Sequence, residues 1–225
     1  MTPEKIKKQD DEMDEEKKDL NTSKNINNSN TRGREEQSSP TQFISCKQLM
    51  IFIDGQNLFK LQNEINVKID FKKLVEFLSF GFDLIRVYYY TGIPTMNHWD
   101  RKKESLKDFQ KKLNKQIQFL DSLELKHHFE VIKKPLAISE GKLIEKGVDV
   151  KIASDIIWHG LSNNYDAFVL ISGDKDLMDC LIRMKDNGKK VIVANFEGKI
   201  SRELKKLADN YVNLSEHLEE IKLEE

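Results

Sequence analysis

The strongest constraint in this sequence is a series of short apolar runs with polar tips, separated by helical patterns. A strand buried on both faces of a parallel sheet reads as a continuous apolar run, not as an alternation. Leu49–Asp54 is the first such run, and Leu84–Tyr90 is the second, closed by Thr91, Gly92 and Pro94. His128–Lys133 is a weaker third, Ala167–Ile171 a strong fourth stopped by Ser172 and Gly173, and Lys190–Ala194 a fifth. Between them, Asp70 is placed to cap a helix through Phe80, with Phe71, Leu74, Val75 and Leu78 on one stripe. Leu106, Phe109, Leu113, Ile117 and Leu120 recur at three- and four-residue spacing, which predicts a long amphipathic helix over 99–123. Further helices are expected over Val148–His159, Leu177–Asp186 (ended by Asn187 and Gly188) and Ile200–Asp209. Strand and helix alternate, so the expected fold is α/β with a mostly parallel sheet of five or six strands.

These patterns begin only at Cys46. Residues 1–45 are dominated by Asn, Ser, Thr, Lys and Glu and hold few large apolar side chains. Such a segment buries too little apolar surface to offset its ordering entropy, so a disordered tail over 1–45 is expected, followed by one domain over 46–225. Removing the tail is expected to leave fold and chemistry intact. The formal net charge is -1, which supplies no bulk attraction toward nucleic acid, so polyanion binding needs a local basic patch. Cys46 and Cys180 show no metal-ligand spacing, and a reduced, intracellular chain is the simpler reading. The charged N-terminus lacks the apolar core of a signal peptide, and no apolar run approaches the roughly 18 residues that cross a bilayer. The expectation is a cytoplasmic protein without membrane contact.

Active sites of open parallel sheets lie beyond the carboxyl ends of the strands. Asp54 ends the first strand ahead of Gly55, Gln56 and Asn57. Ser172, Gly173, Asp174, Lys175 and Asp176 follow the fourth, and Asp149 opens the helix that precedes it. Each motif alone has an ordinary structural role: an Asp after a strand caps a helix or makes a turn, and an acid in a first helical turn suits the dipole. Their joint placement is more telling. If the first and fourth strands are neighbours, several carboxylates share a small volume, and two such charges at 4 Å repel by roughly 4 kcal/mol at an effective dielectric near 20. A cation, or a proton on one carboxyl, relieves that repulsion. Hard oxygen donors without Cys or His select Mg2+ or Mn2+, ions suited to phosphodiester hydrolysis. Asp155 shares a helical face with Val148 and Ile152 and is either inward-facing and functional or at that face's edge.

Several segments together resemble the NYN family, a branch of the PIN-like nucleases that includes the LabA-like proteins. They are Phe52–Asn57, Arg86–Thr91, Lys146–Val150 with Asp155, Val169–Leu177, Lys190–Ala194 and Leu207–Leu214, spanning about residues 47–216. The resemblance implies a Rossmann-like, three-layer PIN-like domain with a divalent-metal site acting on RNA. It carries metal-ligand or water-positioning roles onto Asp54, Asp149, Asp174 and Asp176, an orienting role onto Asn57 and a supporting hydroxyl onto Ser172. Leu177 stands where the family often has an aromatic residue, a difference of packing more than of chemistry.

For RNA contact the candidates are Arg101, Lys102, Lys107, Lys111, Lys115 and Lys146. Lys107, Lys111 and Lys115 form one helical stripe, either a solvated face or a phosphate-contacting edge. Trp99 and His98 offer stacking surfaces, whereas Tyr88 and Tyr90 read as core. The segment from Pro135 to Lys146, carrying Lys142 and Lys146, reads as a loop able to close over substrate. The expected function is therefore a metal-dependent ribonuclease, with two alternatives: an inactive RNA- or protein-binding module on the same fold, and a small-molecule phosphohydrolase. The dehalogenase-type nucleophile motif of the last needs an Asp where Gln56 stands, and no GxGxxG follows the first strand to hold a nucleotide cofactor. A homo-oligomer is compatible with the sequence.

Overall fold

The computed structural model describes residues 47–139 and 142–224. The expected tail over 1–45 lies outside the described residues, as do Cys46 and the Lys142 side chain. Six strands form one parallel sheet in the order β3-β2-β1-β6-β7-β8. They are β1 (Gln48–Asp54), β2 (Asp83–Ile93), β3 (Glu130–Pro135), β6 (Ala167–Ile171), β7 (Lys190–Asn195) and β8 (Asn210–Asn213). Between β3 and β6 the chain makes a two-stranded antiparallel hairpin, β4 (Ala137–Ser139) and β5 (Lys142–Ile144).

Period-two alternation sorts the central strands' side chains onto two faces. Leu49, Ile51 and Ile53 of β1 join Val169 and Ile171 of β6 on one face. There they pack against helices α1 (Gly55–Ile65), α2 (Phe71–Leu78) and α3 (Leu106–His127). Met50 and Phe52 join Phe168 and Leu170 on the other. That face is covered by α4 (Val148–Leu161), α5 (Met178–Asp186) and α6 (Arg202–Leu207). A short C-terminal helix, α7 (Leu218–Ile221), adds Ile221 to the first face. The result is a three-layer α/β domain.

Some elements differ from the sequence expectation. The second strand runs on through Thr91, Gly92 and Ile93, because its ladder with β3 continues to the Ile93–Pro135 pair. The helix expected over 99–123 instead spans Leu106–His127; the hydroxyl of Ser105 accepts from the Asp108 N–H and caps its start. Residues 99–105 therefore form turns, and α3 extends until His128 takes a left-handed conformation. The last helix covers only Arg202–Leu207, capped by Ser201. Helix α1 and the β4–β5 hairpin were not anticipated, and the hairpin occupies most of the segment expected as a loop.

The short edge strand β8 is held by Asp209. Its carboxylate accepts from the Val191 N–H at 2.9 Å and pairs with Lys185 at 2.8 Å. The Lys185 ammonium and then that N–H hold the carboxyl below its ordinary range. The folded state thus binds fewer protons than the unfolded one. The resulting stability is present at neutral pH and is lost as pH falls through the lowered folded value. Asp209→Asn should therefore cost less than about 1 kcal/mol at neutral pH, since water reaches the pair. Urea denaturation at neutral and acidic pH checks this: the gap between variant and wild type should close on acidification, and a pH-independent gap refutes the assignment.

Candidate active site

The strand order places a topological switch between β1 and β6. From β1 the chain moves outward to β2 and β3, and from β6 it moves the opposite way to β7 and β8. The connections leaving the two central strands diverge, opening a crevice at their carboxyl ends. The register pairs Ile53 with Ile171, so Asp54 and Ser172 follow side by side.

The buried carboxylate of Asp54 is held on both oxygens. Oδ1 accepts from the Asn57 N–H at 3.0 Å, capping α1, and Oδ2 accepts from the Ser172 hydroxyl at 3.0 Å. The Ser172 oxygen in turn accepts from the Asp174 N–H at 3.1 Å. The carboxylate of Asp174 accepts from the Asp176 N–H at 2.9 Å, shaping a single 3-10 turn over Lys175–Leu177. The ordinary capping role of an Asp after a strand is thus realised at Asp54 and Asp174. It uses one oxygen of Asp174, and each acceptor oxygen carries two lone pairs, so capacity for a further ligand remains.

Asp54, Asp149 and Asp174 line one pocket of about 400 Å³, together with Asn57, Gln56, Lys60, Glu145, Leu143 and Ile144. Burial raises the Asp54 carboxyl above its ordinary range; the two hydrogen bonds oppose this, and the Asp174 charge adds to it. Burial likewise raises Asp149, reinforced by the charges of Asp174, Asp54 and Asp176. These mutual charge effects are the repulsion expected of a convergent acidic site. Among the described residues, no three His, Cys, Asp or Glu side chains stand close enough together to enclose a metal ion in the present arrangement.

Two charged pocket residues escaped the sequence reading. Glu145 follows the hairpin, accepts from the Gly92 N–H, and is raised by burial and then by the charges of Asp54 and Asp149, against the pull of that N–H. Its approach requires Gly92: a Cβ there would lie 2.7 Å from Glu145 and 2.3 Å from Leu136. Lys60 stands on α1, donates to Gln56 at 3.2 Å, and lowers Asp54, Glu145 and Asp149 electrostatically. The pocket lining therefore includes a cationic side chain. Its signal was the four-residue spacing from Gln56 on a helix that starts at the Asp54 cap.

The remaining candidates lie elsewhere. Asp176 is exposed beside the pocket and acts electrostatically on Asp149. Asp155 faces inward, but it meets Tyr90, whose hydroxyl donates at 2.9 Å, and Lys151 at 2.6 Å. Tyr88 and Tyr90 are core residues, as read. Lys107, Lys111 and Lys115 are exposed on α3, roughly opposite its buried Phe109 and Leu120 by helical geometry. Lys146 and Lys102 are exposed, and Arg101 lines a neighbouring pocket with Trp99 and His98.

Strand order, switch-point crevice and acidic pocket define a Rossmann-like α/β domain. The chain belongs to the NYN domain family, which matches residues 48–216. It is similar to the low amplitude and bright protein LabA of Synechococcus elongatus, at 23% identity over 172 residues covering 75% of this chain and 84% of the relative. A solved structure of a Vibrio parahaemolyticus protein of unknown function shares the fold, with a TM-score of 0.58 and 22% identity over 81% of this chain and 99% of the other. No helix among the described residues is long and apolar enough to cross a membrane.

Proposed function

We propose that this protein is a divalent-metal-dependent ribonuclease that hydrolyses RNA phosphodiester bonds at the β1–β6 switch point. The observation that carries this reading is one pocket holding Asp54, Asp149 and Asp174 in a chain of the NYN family, whose PIN-like nucleases act through such carboxylates. The donor set is all oxygen and mutually repelling, which fits Mg2+ or Mn2+. Asp54, Asp149 and Asp174 would hold the ion by drawing closer together than they stand here, with Asp176 and Glu145 within electrostatic reach. When bound, it supplies Lewis-acid stabilisation of the phosphoryl oxygens and a more acidic water. The chain's own residues supply the frame. Ser172 fixes Asp54 and the Asp174 backbone together, the Asn57 N–H orients Asp54, and Lys60 offers a cation to a phosphate oxygen at the rim.

The test is incubation of full-length protein with a mixed RNA pool in Mn2+, Mg2+ or EDTA. Cleavage with either ion and none in EDTA is the expected result. A second reading, a binding module without turnover, draws on the capping roles of Asp54 and Asp174, which give both residues a structural use. Metal-independent RNA binding with no cleavage under any condition would favour it.

In the ribonuclease reading, Lys107, Lys111 and Lys115 present an exposed basic stripe to RNA phosphates. Reversing all three to Glu should weaken RNA binding and reduce its salt dependence, because fewer counterions are released. Turnover at saturating RNA should stay the same. Filter binding across a salt series is the measurement, and an unchanged affinity and slope would leave the stripe as a solvated face.

A further inference from the structure

Beside the carboxylate pocket lies a second one of about 510 Å³, and Leu143 of the β4–β5 hairpin lines both. Its walls combine the indole of Trp99 with Phe109, Ile138 and Leu143. Ile138 and Leu143 are 61% and 45% exposed, an unusual display of apolar surface next to a polar site. Trp99 is pinned by its edge: Nε1 donates to the Glu104 carbonyl at 3.1 Å, and its backbone N–H donates to Met96 at 3.2 Å. With the polar edge satisfied inside the protein, what the indole offers a ligand is its ring.

Polar groups at the same pocket suit the edge of a base. The Nδ1 of His98 accepts from the Thr95 N–H at 2.8 Å, so its proton sits on Nε2 and that N–H is the group left to donate. Arg101 pairs with no carboxylate among the described residues, while the two acids of the pocket have other partners: Glu104 pairs with Lys112 at 2.7 Å and Asp100 with Lys103 at 3.7 Å. A flat aromatic and aliphatic slot with donors at its rim matches a nucleobase, which has two apolar faces and acceptors on its edge. An amphipathic peptide would find a narrower apolar area here, interrupted by Arg101 and His98.

We infer that the pocket bounded by Trp99, Ile138 and Leu143 is a nucleobase subsite, which seats one unpaired base of an RNA strand whose backbone crosses the adjoining carboxylate pocket. This rests on the ribonuclease reading for the identity of the strand, and it makes unpaired RNA the substrate class. Base–aromatic stacking accounts for about tenfold or more in affinity per base.

The test uses the full chain carrying Trp158→Phe, which removes the exposed tryptophan of α4 and leaves Trp99 as the fluorescent reporter. Adenosine monophosphate and oligoadenylate should quench Trp99 emission, and ribose 5-phosphate should not. Trp99→Ala should weaken oligoadenylate binding about tenfold and raise KM with kcat preserved, and Trp99→Phe should restore most of both. Unaltered thermal midpoints would show that the variants fold. Oligoadenylate binding without quenching, or unchanged affinity in Trp99→Ala, overturns the subsite, and so does absence of quenching by any nucleotide. Quenching without cleavage of RNA supports the subsite while overturning the ribonuclease reading; cleavage without quenching does the reverse.

Discussion

Asp174→Asn should lower RNA cleavage by about a thousandfold, equivalent to about 4 kcal/mol of barrier, without unfolding the protein. The amide retains an oxygen to accept from the Asp176 N–H, so the 3-10 turn after β6 keeps its cap. The backbone N–H of residue 174 still donates to Ser172. What disappears is one negative charge from a set that already repels. After burial, the Asp174 charge is the leading electrostatic reason that Asp149 sits above the ordinary carboxylate range, and it also acts on Asp54. Metal-free Asp174→Asn should therefore melt no lower than wild type. Mn2+ should raise the wild-type midpoint, because a ligand that prefers the folded state stabilises it, and should raise that of the variant much less. Activity, calorimetry with and without Mn2+, and the same pair in EDTA form the full comparison. Wild-type cleavage rates in the variant, or undiminished cleavage in EDTA, would remove Asp174 and metal from the mechanism.

Gly173→Ala should destabilise the protein by about 2 kcal/mol, a fall of about 4–8 °C in thermal midpoint for a chain of this size. The reason is steric. A Cβ at 173 would lie 2.1 Å from the Lys199 carbonyl oxygen and 2.7 Å from Nδ2 of Asn195, which itself donates to that carbonyl at 3.0 Å. The nearest obstacle is backbone and has no rotamer to yield. Any relief must move the turn after β7 or the loop holding Ser172 and Asp174, so cleavage should fall together with stability. Equal midpoints for variant and wild type, by thermal and urea denaturation, would show that the loop yields freely and that the glycine has no packing role.

Sheet strands β1, β6 and β7 were legible because burial on both faces leaves an uninterrupted apolar run. Alternation and the strand-end rule put Asp54 and Asp174 at strand ends, but the adjacency of β1 and β6 was only a condition of that reading, because alternation does not fix strand order; the pairing of the two strands supplies it. Helix α1 was harder: it buries Leu58 and Leu61 but leaves Phe59 exposed, so its stripe is thin. The charged segment before α3 resembled helix, although Ser105 with Asp108 three residues later was a readable start signal. Glu145 was hidden for a non-local reason, since the hairpin that carries it and the bare Gly92 backbone that receives it lie far apart in the chain. The hairpin itself pairs only three residues per strand and shows apolar side chains to solvent, the reverse of a core pattern.

The bond between Ser172 and Asp54 joins positions 118 residues apart, and β1 pairs directly with β6 along its length. During synthesis, β1 and β2 emerge early, but the other edge of β1 has no native partner until Ala167–Ile171 follows. An apolar strand with an unpaired edge is the kind of intermediate that associates with its neighbours on a crowded ribosome, and closing so long a loop is slow. Until β6 is made, that edge of β1 stays open to association. The same delay keeps an unfinished chain from bringing Ser172 and Asp174 beside Asp54, so a product ending before β6 lacks the pocket altogether.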